Sequence, residues 1–397
     1  MGFPLAKTYV NEARSTTRVE LLDFRAQIVR TLQRTMAEKE LKGMLLFRPE
    51  NSAYVSGYFP RGFMSGPVVA VVPSEGDPTL VTNFYEEAFI RSFSWVKNLR
   101  VYESYRRDSK VDPFAAAVIE VKNALKELKL SGRPLGTDSA TEGLSEGKLV
   151  DISNTLKEMR STKSEEEINL IKEACHIADV GHEAMLDNSQ EGVPEIDVRA
   201  RAQLAMFTEG FKRLPLGVRD AHMALVGAGL GSGKWPYWFT NTPTDRKIEK
   251  GDMLVADGGA VLWSGHNSDV SRTAIVGSPT PKQKEMYLAV LDAQDAGRRA
   301  VRPGVRACDI DKAIYDVFAE RGYAKYITRV WNGHDVDFGS RTFDIAPFEK
   351  QEIKAGMVLT LEPGLYVPEV GGIRVEDMVA VREAGTEVLT ECRKRIF

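Results

Sequence analysis

The sequence has little of what marks several large classes of protein. Only three of its 397 residues are cysteines, and they are too few and too scattered for a disulfide framework or a zinc cluster. The formal net charge is −3, so no basic surface for nucleic acid is predicted. No apolar run approaches the ~20 residues of a membrane helix, and residues 1–15 lack the basic and apolar segments of a secretory signal. We therefore predict a cytoplasmic protein that binds neither nucleic acid nor membrane.

The chain is long enough for two domains and mixes strand and helix patterns throughout. Over 1–158, short apolar strands alternate with amphipathic helices, which indicates a mixed α/β domain. The second domain, 159–397, opens with a long helix for which Ser164 is a suitable N-cap, because Glu165–Glu167 then favour the positive end of the helix dipole. Further helices are predicted at 194–212, 281–300 and 307–322.

Four strand-like segments of the second domain each carry a carboxylate within an apolar stretch. They are 253–262 with Asp257, 267–276 with Asp269, 357–367 with Glu362, and 372–381 with Glu376. A carboxylate buried in a strand must find a cation or become protonated. A salt bridge or an edge strand accounts for each one alone, whereas four together suggest one site in which divalent cations offset their repulsion.

The spacing of the first two carboxylates supports a shared site. Asp257 and Asp269 are equidistant from residue 263, which lies in the turn signal WSGH (263–266). In a hairpin centred there, we expect them to be direct cross-strand neighbours with Cβ atoms ~5 Å apart. His334, in the sequence WNGHD, supplies an imidazole that completes an oxygen-rich site for Mn, Fe, Co or Zn.

These segments resemble the metal-binding motifs of one family. VADGGAVLWSGHNSDVSRT (255–273) is similar to the D-x-G-A-(x)-G-Y-x-S-D-x-T-R-T segment of prolidases, aminopeptidase P, methionine aminopeptidases and creatinase. TLEPGLYVPEVGGIRVED (360–377) resembles their E-P-G-x-Y…G-G-I-R-x-E-D segment, and GHD (333–335) resembles the start of their G-H-G segment. The order Asp, Asp, His, Glu, Glu is the family's ligand order, so the chain is identified as a member of the prolidase/creatinase family.

The resemblance implies an α/β architecture, in which a creatinase-like N-terminal domain precedes a pseudo-symmetric "pita-bread" catalytic domain. It implies two divalent transition-metal ions, manganese among the candidates. Asp257 would bind one ion, Asp269 and Glu376 would reach both, and His334 and Glu362 would hold the other. A water between the ions would attack the scissile carbonyl, with Glu362 as the proton shuttle. We also predict a homodimer.

The sequence departs from the peptidases of this family at two accessory histidines. Tyr237 follows Pro236 where those enzymes have a P-H pair, and 334–346 contain no second histidine. Five other residues are candidates for the substrate pocket. His266 is a possible replacement proton donor; Arg374, His222, Tyr237 and Trp238 are possible substrate-binding residues. Arg374 is equally suited to neutralise a ligand carboxylate, and an aromatic cluster is more often core than pocket wall.

Three hypotheses remain open at this point. The retained ligands favour a metal-dependent hydrolase that cleaves a C–N bond in a dipeptide or small amide, as an Xaa-Pro dipeptidase does. The missing histidines favour a non-peptidase relative, such as an ectoine hydrolase, a creatinase-like amidinohydrolase or a dimethylsulfoniopropionate lyase. A binding module that has kept only the fold is the third hypothesis, and five retained ligands argue against it.

Overall fold

A computed structural model describes residues 15–60, 66–103, 107, 112–139, 145–214, 218–227, 243–327, 329–338, 341–368 and 370–394. The chain forms two compact units. The first runs to Arg160 and includes residues 263–265; the second contains 161–262 and 266–397. The predicted mixed α/β architecture is confirmed, whereas a domain boundary at 158/159 stays a prediction. Within the described ranges, no helix is both long enough and apolar enough to cross a bilayer.

The first unit is built around one mixed sheet with the strand order β4-β3-β2-β1-β5-β6. Its strands are β1 (Gly43–Leu46), β2 (Val69–Pro73), β3 (Thr79–Asn83), β4 (Asn98–Tyr102), β5 (Leu135–Thr137) and β6 (Leu149–Asp151). Its helices are α1 (Ser15–Glu38), α2 (Pro49–Ser56), α3 (Phe84–Phe93), α4 (Pro113–Glu127) and α5 (Ser153–Ser161). Helices α3 and α4 begin where Asn83 and Asp112 accept hydrogen bonds from the first free backbone amides.

In the part of the second unit that the structure describes, the strands form three small antiparallel sheets, with the orders β7-β8-β9, β10-β13-β14 and β11-β12. The strands are β7 (Asp220–Gly227), β8 (Met253–Val261), β9 (Val270–Ile275), β10 (Val358–Leu361), β11 (Gly364–Val367), β12 (Gly371–Arg374), β13 (Asp377–Arg382) and β14 (Gly385–Val388). The helices in its described residues are α6 (Glu165–Asn188), α7 (Glu195–Arg213), α8 (Pro281–Ala300) and α9 (Ala307–Glu320).

The N-terminus of α6 confirms the predicted cap. The Ser164 hydroxyl accepts the Glu167 amide, and the Glu167 carboxylate accepts the Ser164 amide, so two free donors are satisfied reciprocally. Two helix pairs then cover the sheets. Helices α6 and α7 share a buried apolar cluster with β7–β9, and α8 and α9 share another with β10–β13. This repetition of two helices over a sheet is the expected pita-bread arrangement.

The predicted strands 357–367 and 372–381 are each two strands, which corrects the sequence-based prediction. The first breaks after Leu361, and the second breaks after Arg374. Pro363 accounts for the first break, because proline has no amide hydrogen for a ladder. Each break contains a glutamate, Glu362 in the first and Glu376 in the second. Both carboxylates therefore belong to residues that lie between two strands.

Candidate metal centre

Asp257 lies in the middle of β8, but its cross-strand partner is not Asp269. Strands β8 and β9 pair with Asp257 opposite Ser271 and Gly258 opposite Val270. The hairpin is therefore centred one residue later than the spacing suggested, and the prediction of direct neighbours is wrong. Asp269 sits one residue before β9 at a diagonal position. Since side chains alternate along a strand, Asp257, Asp269 and Ser271 still share one face.

Glu362 and Glu376 are cross-strand neighbours, which is the arrangement that the sequence predicted for Asp257 and Asp269. Leu361 pairs with Asp377 in β10–β13, and Gly364 pairs with Arg374 in β11–β12. The register is unbroken across the gap, so it places the two glutamates opposite each other. The Glu376 amide also donates to the Ser271 carbonyl at 3.0 Å, which joins this hairpin to the strand that follows Asp269.

His334 is held beside β10 by a short extended segment. Its carbonyl accepts the Thr360 amide at 2.8 Å, and its amide donates to the Thr360 hydroxyl at 3.1 Å. Gly333 allows this approach, because a Cβ there would lie 2.2 Å from the Thr360 carbonyl oxygen. The imidazole Nδ1 lies 2.8 Å from the Asp335 carbonyl oxygen. A carbonyl only accepts, so Nδ1 carries the proton and Nε2 is the nitrogen available to a metal.

The side chains converge as a divalent cation requires. One ligand atom from each of Asp269, His334 and Glu376 lies within 4.8 Å of the other two. Nε2 of His334 is 3.4 Å from Asp269 Oδ2 and 3.6 Å from Glu362 Oε1. Among the described residues, no hydrogen-bond donor reaches the buried Oε1 of Glu376. A buried carboxylate oxygen without a donor is costly, so the donor set fits a divalent cation.

Ser271 and Arg374 connect the two pairs of carboxylates. The Ser271 hydroxyl lies 2.9 Å from Asp257 Oδ1 and 2.6 Å from Glu376 Oε2, and it accepts a 2.8 Å hydrogen bond from Arg374 Nε. Arg374 Nη2 lies 2.6 Å from Asp257 Oδ2. Arg374 is wholly buried and paired with Asp257, so it neutralises a carboxylate of the cluster. Its predicted role in substrate binding stays a prediction.

Arg329 is a second buried cation of the site, and no pattern in the sequence predicted it. Its guanidinium pairs with Oε2 of Glu362, and both side chains are almost inaccessible to solvent. The guanidinium also lies 4.9 Å from the ring centroid of Trp331, on the aromatic face. Arg329 thus occupies one oxygen of Glu362 and leaves Oε1 beside His334.

The charges of the cluster shift its protonation equilibria in opposite directions. Burial raises the pKa of Glu376 well above its ordinary value, and the charges of Asp269 and Glu362 raise it further. Burial and Asp257 likewise raise the pKa of Asp269. Burial lowers the pKa of His334, but Asp269 and Glu362 outweigh it and raise this pKa to about 9. For Asp257, burial is outweighed by Arg374 and Ser271, so its pKa is lowered.

The other predicted pocket residues have separate surroundings. His266 is buried, with Nε2 3.6 Å from Oε1 of Glu167 and its ring 4.9 Å from that of Phe338. His222 is exposed in β7, opposite Gly259. Tyr237 and Trp238 lie outside the described residues. The structure therefore brings together the five candidate ligands and Arg374, and the roles of the other four stay predictions.

Comparisons with known proteins agree with this site. Residues 169–383 match the model of metallopeptidase family M24, and residues 29–162 match the creatinase/prolidase N-terminal domain. The chain belongs to metallopeptidase family M24, and it is a metal-dependent hydrolase of that family.

Similar proteins are matched over nearly their full length. The chain is 29% identical to an Xaa-Pro dipeptidase of Pyrococcus horikoshii, covering 95% of this chain and 100% of the relative. It is 30% identical to an Xaa-Pro dipeptidase of Pyrococcus furiosus, covering 92% and 98%. The crystal structure of the prolidase from Pyrococcus horikoshii superposes with a TM-score of 0.73 at 27% identity, covering 94% and 100%.

Proposed function

We propose that the protein uses two divalent metal ions to hydrolyse a C–N bond in a dipeptide or another small amide. The convergence of Asp269, His334 and Glu376, together with a buried Oε1 of Glu376 that no donor among the described residues reaches, is the observation that carries the proposal. Membership of the family supports hydrolysis, and the similarity to Xaa-Pro dipeptidases supports a dipeptide as the first substrate to test. The homodimer and the cytoplasmic location also stay proposals.

The side chains would divide the two ions between them. Asp269, His334 and Glu376 would hold one ion, with Oε1 of Glu362 completing its ligands. Asp257, which is paired with Arg374, would hold the other ion together with Asp269 and Glu376. Bound ions of this kind polarise a carbonyl and lower the pKa of a water.

Glu362 is the candidate to accept the proton of the attacking water. Its Oε1 faces His334, and its Oε2 is paired with Arg329. The two oxygens therefore have different partners, which suits one oxygen to a metal and one to a proton transfer. For that transfer, Arg329 would have to share Oε2 with the incoming proton. His266 stays the second candidate for a proton-transfer role.

A non-peptidase relative is the second candidate function, as an ectoine hydrolase, a creatinase-like amidinohydrolase or a dimethylsulfoniopropionate lyase. The segment after His334 supports it. The carboxylate of Asp335 accepts hydrogen bonds from the Thr342 hydroxyl at 2.6 Å and from the Phe343 amide at 3.0 Å. This acid is therefore used to hold its own loop, and the loop carries no histidine that could hold a substrate carbonyl.

A substrate panel tests the proposal directly. Protein reconstituted with Mn, Fe, Co or Zn is assayed against Xaa-Pro dipeptides, ectoine, creatine and dimethylsulfoniopropionate, with Asp269→Ala as the background control. We expect hydrolysis of a C–N bond that is lost in Asp269→Ala. We expect Xaa-Pro turnover below the ~10 per second typical of enzymes, because the accessory histidines are missing. Elimination from dimethylsulfoniopropionate alone, or no turnover by a fully metal-loaded protein, would contradict the hydrolase.

A further inference from the structure

The backbone ladder is interrupted where the two glutamates of the metal centre face each other. Strand pairing ends at Leu361–Asp377 on one side and resumes at Arg374–Gly364 on the other. The Glu362 amide donates to the Asn332 carbonyl at 2.9 Å and the Glu376 amide donates to the Ser271 carbonyl at 3.0 Å, so neither amide bonds across the gap between the two glutamates. A group that bonds to both strands beside the glutamates would support a metal-binding separation of the carboxylates.

Gln294, on helix α8, bridges this gap. Its side-chain amide donates to the Leu361 carbonyl at 3.1 Å and to the Val375 carbonyl at 3.0 Å. These carbonyls belong to the residues that immediately precede Glu362 and Glu376. A side-chain NH₂ has two hydrogens, so both are used. Gln294 is 4% exposed, and water therefore has little access to replace these bonds.

Lys394 fixes the orientation of that amide. Its ammonium donates to Gln294 Oε1 at 3.0 Å and also pairs with Asp377, the residue that follows Glu376. Because an ammonium group only donates, Oε1 must face Lys394, and the NH₂ must face the two carbonyls. The Tyr287 hydroxyl in turn donates to the Lys394 carbonyl, which anchors the lysine to the same helix as Gln294.

We propose that Gln294, oriented by Lys394, is a positioning residue that sets the separation of Glu362 and Glu376 for metal binding. Lys394 orients Gln294, and Gln294 bonds to both strands beside the gap. The position of helix α8 therefore affects Glu362 and Glu376 together. The inference rests on the proposed metal site. Its expected effect is on the affinity and coordination geometry of the ion, since neither residue touches the ion itself.

Paired variants separate positioning from general stability. Gln294→Met removes both bridging hydrogen bonds at nearly constant volume. Gln283→Met is the matched control. Gln283 is also a buried glutamine of α8, and its amide donates to the Gly251 carbonyl at 2.8 Å, away from the gap. Lys394→Met removes the orienting charge, and Lys394→Arg restores a donor. For each protein, Mn²⁺ affinity is measured by calorimetry, the Co²⁺ absorption spectrum reports ligand geometry, and circular dichroism reports the fold.

We expect Gln294→Met to lose about 10-fold or more in Mn²⁺ affinity and to shift the Co²⁺ bands, as loss of a ligand's support does in other metal sites. Lys394→Met should lose affinity in the same direction, with recovery in Lys394→Arg. Gln283→Met should keep wild-type affinity even if it melts at a lower temperature. If Gln294→Met does not fold, the two lysine variants decide the question. Wild-type affinity and spectra in folded Gln294→Met or Lys394→Met would overturn the inference alone, whereas absence of metal binding by the wild type would overturn the metal site as well.

Discussion

Metal binding should become much tighter as the pH rises, because the pKa values of two candidate ligands are raised. The pKa of His334 is about 9, and that of Glu376 lies well above its ordinary value. A cation must displace the Nε2 proton of His334 before it can bind there. Each pH unit below this pKa costs ~1.4 kcal/mol, or tenfold in affinity, for each displaced proton. We therefore expect apparent Mn²⁺ affinity to rise ~100-fold between about pH 6 and about pH 8 from His334 alone. The raised pKa of Glu376 acts in the same direction.

Calorimetry in two buffers of different ionisation enthalpy measures the pH dependence of the affinity and the number of released protons in one set of experiments. The affinity gives the slope, and the difference in heat between buffers gives the number of protons released, which we expect to be about one per ion from His334. His176→Gln is the control, because His176 is a half-exposed histidine paired with Glu209. An affinity that changes less than about threefold over this pH range, with heats independent of the buffer, would refute the reasoning.

Three further outcomes are expected. Asp269→Ala should lose at least one bound ion by elemental analysis, whereas absence of metal in the reconstituted wild type would contradict the site. Glu362→Gln should keep most of its metal while turnover falls ~100-fold or more, the usual effect of losing a general base; full activity at full metal occupancy would make Glu362 a ligand only. Metal-free protein should lose about 3 kcal/mol of stability as the pH rises from ~6.5 through ~9, because the folded state raises the pKa of His334, so its contribution is complete below the unfolded value and disappears above the folded one. Urea unfolding measures this loss, and a flat profile would contradict the His334–Asp269 pair.

The convergence of the candidate ligands could be predicted from the sequence, because each carboxylate lies within an apolar segment and the five residues occur in the order of the family's motifs. Their pairing could not. The turn WSGH suggested a hairpin about residue 263, but the observed register places Ser271 opposite Asp257. Chain spacing alone does not distinguish registers that differ by a bulge or by one turn residue. The break at Pro363 was foreseeable, since proline cannot continue a ladder, but apolar residues on both sides concealed it.

The residues that contact the candidate ligands or their strands were not predicted, for a different reason. Ser271 lies two residues after Asp269 and therefore on the same face of the strand, so the strand periodicity of the sequence could have identified it. Arg329 and Gln294 carry no such signal, because each reaches the site from another element through a long side chain. Charged and amide residues on helices and loops are usually solvated, so their type does not predict burial. Only the packing of α8 and of the segment before His334 reveals them.

The two buried arginines of the metal centre give the folded protein positive charge that does not depend on a bound ion. Arg374 pairs with Asp257, Arg329 pairs with Glu362 and His334 lies beside Asp269, so three of the four carboxylates have a basic partner from the protein itself. We therefore expect metal exchange to require side-chain rearrangement and no unfolding of the chain, so that a chelator should remove the ion without denaturing the protein. The ion carried by the protein would then reflect the metals available throughout its lifetime, and not only those present when it was synthesised.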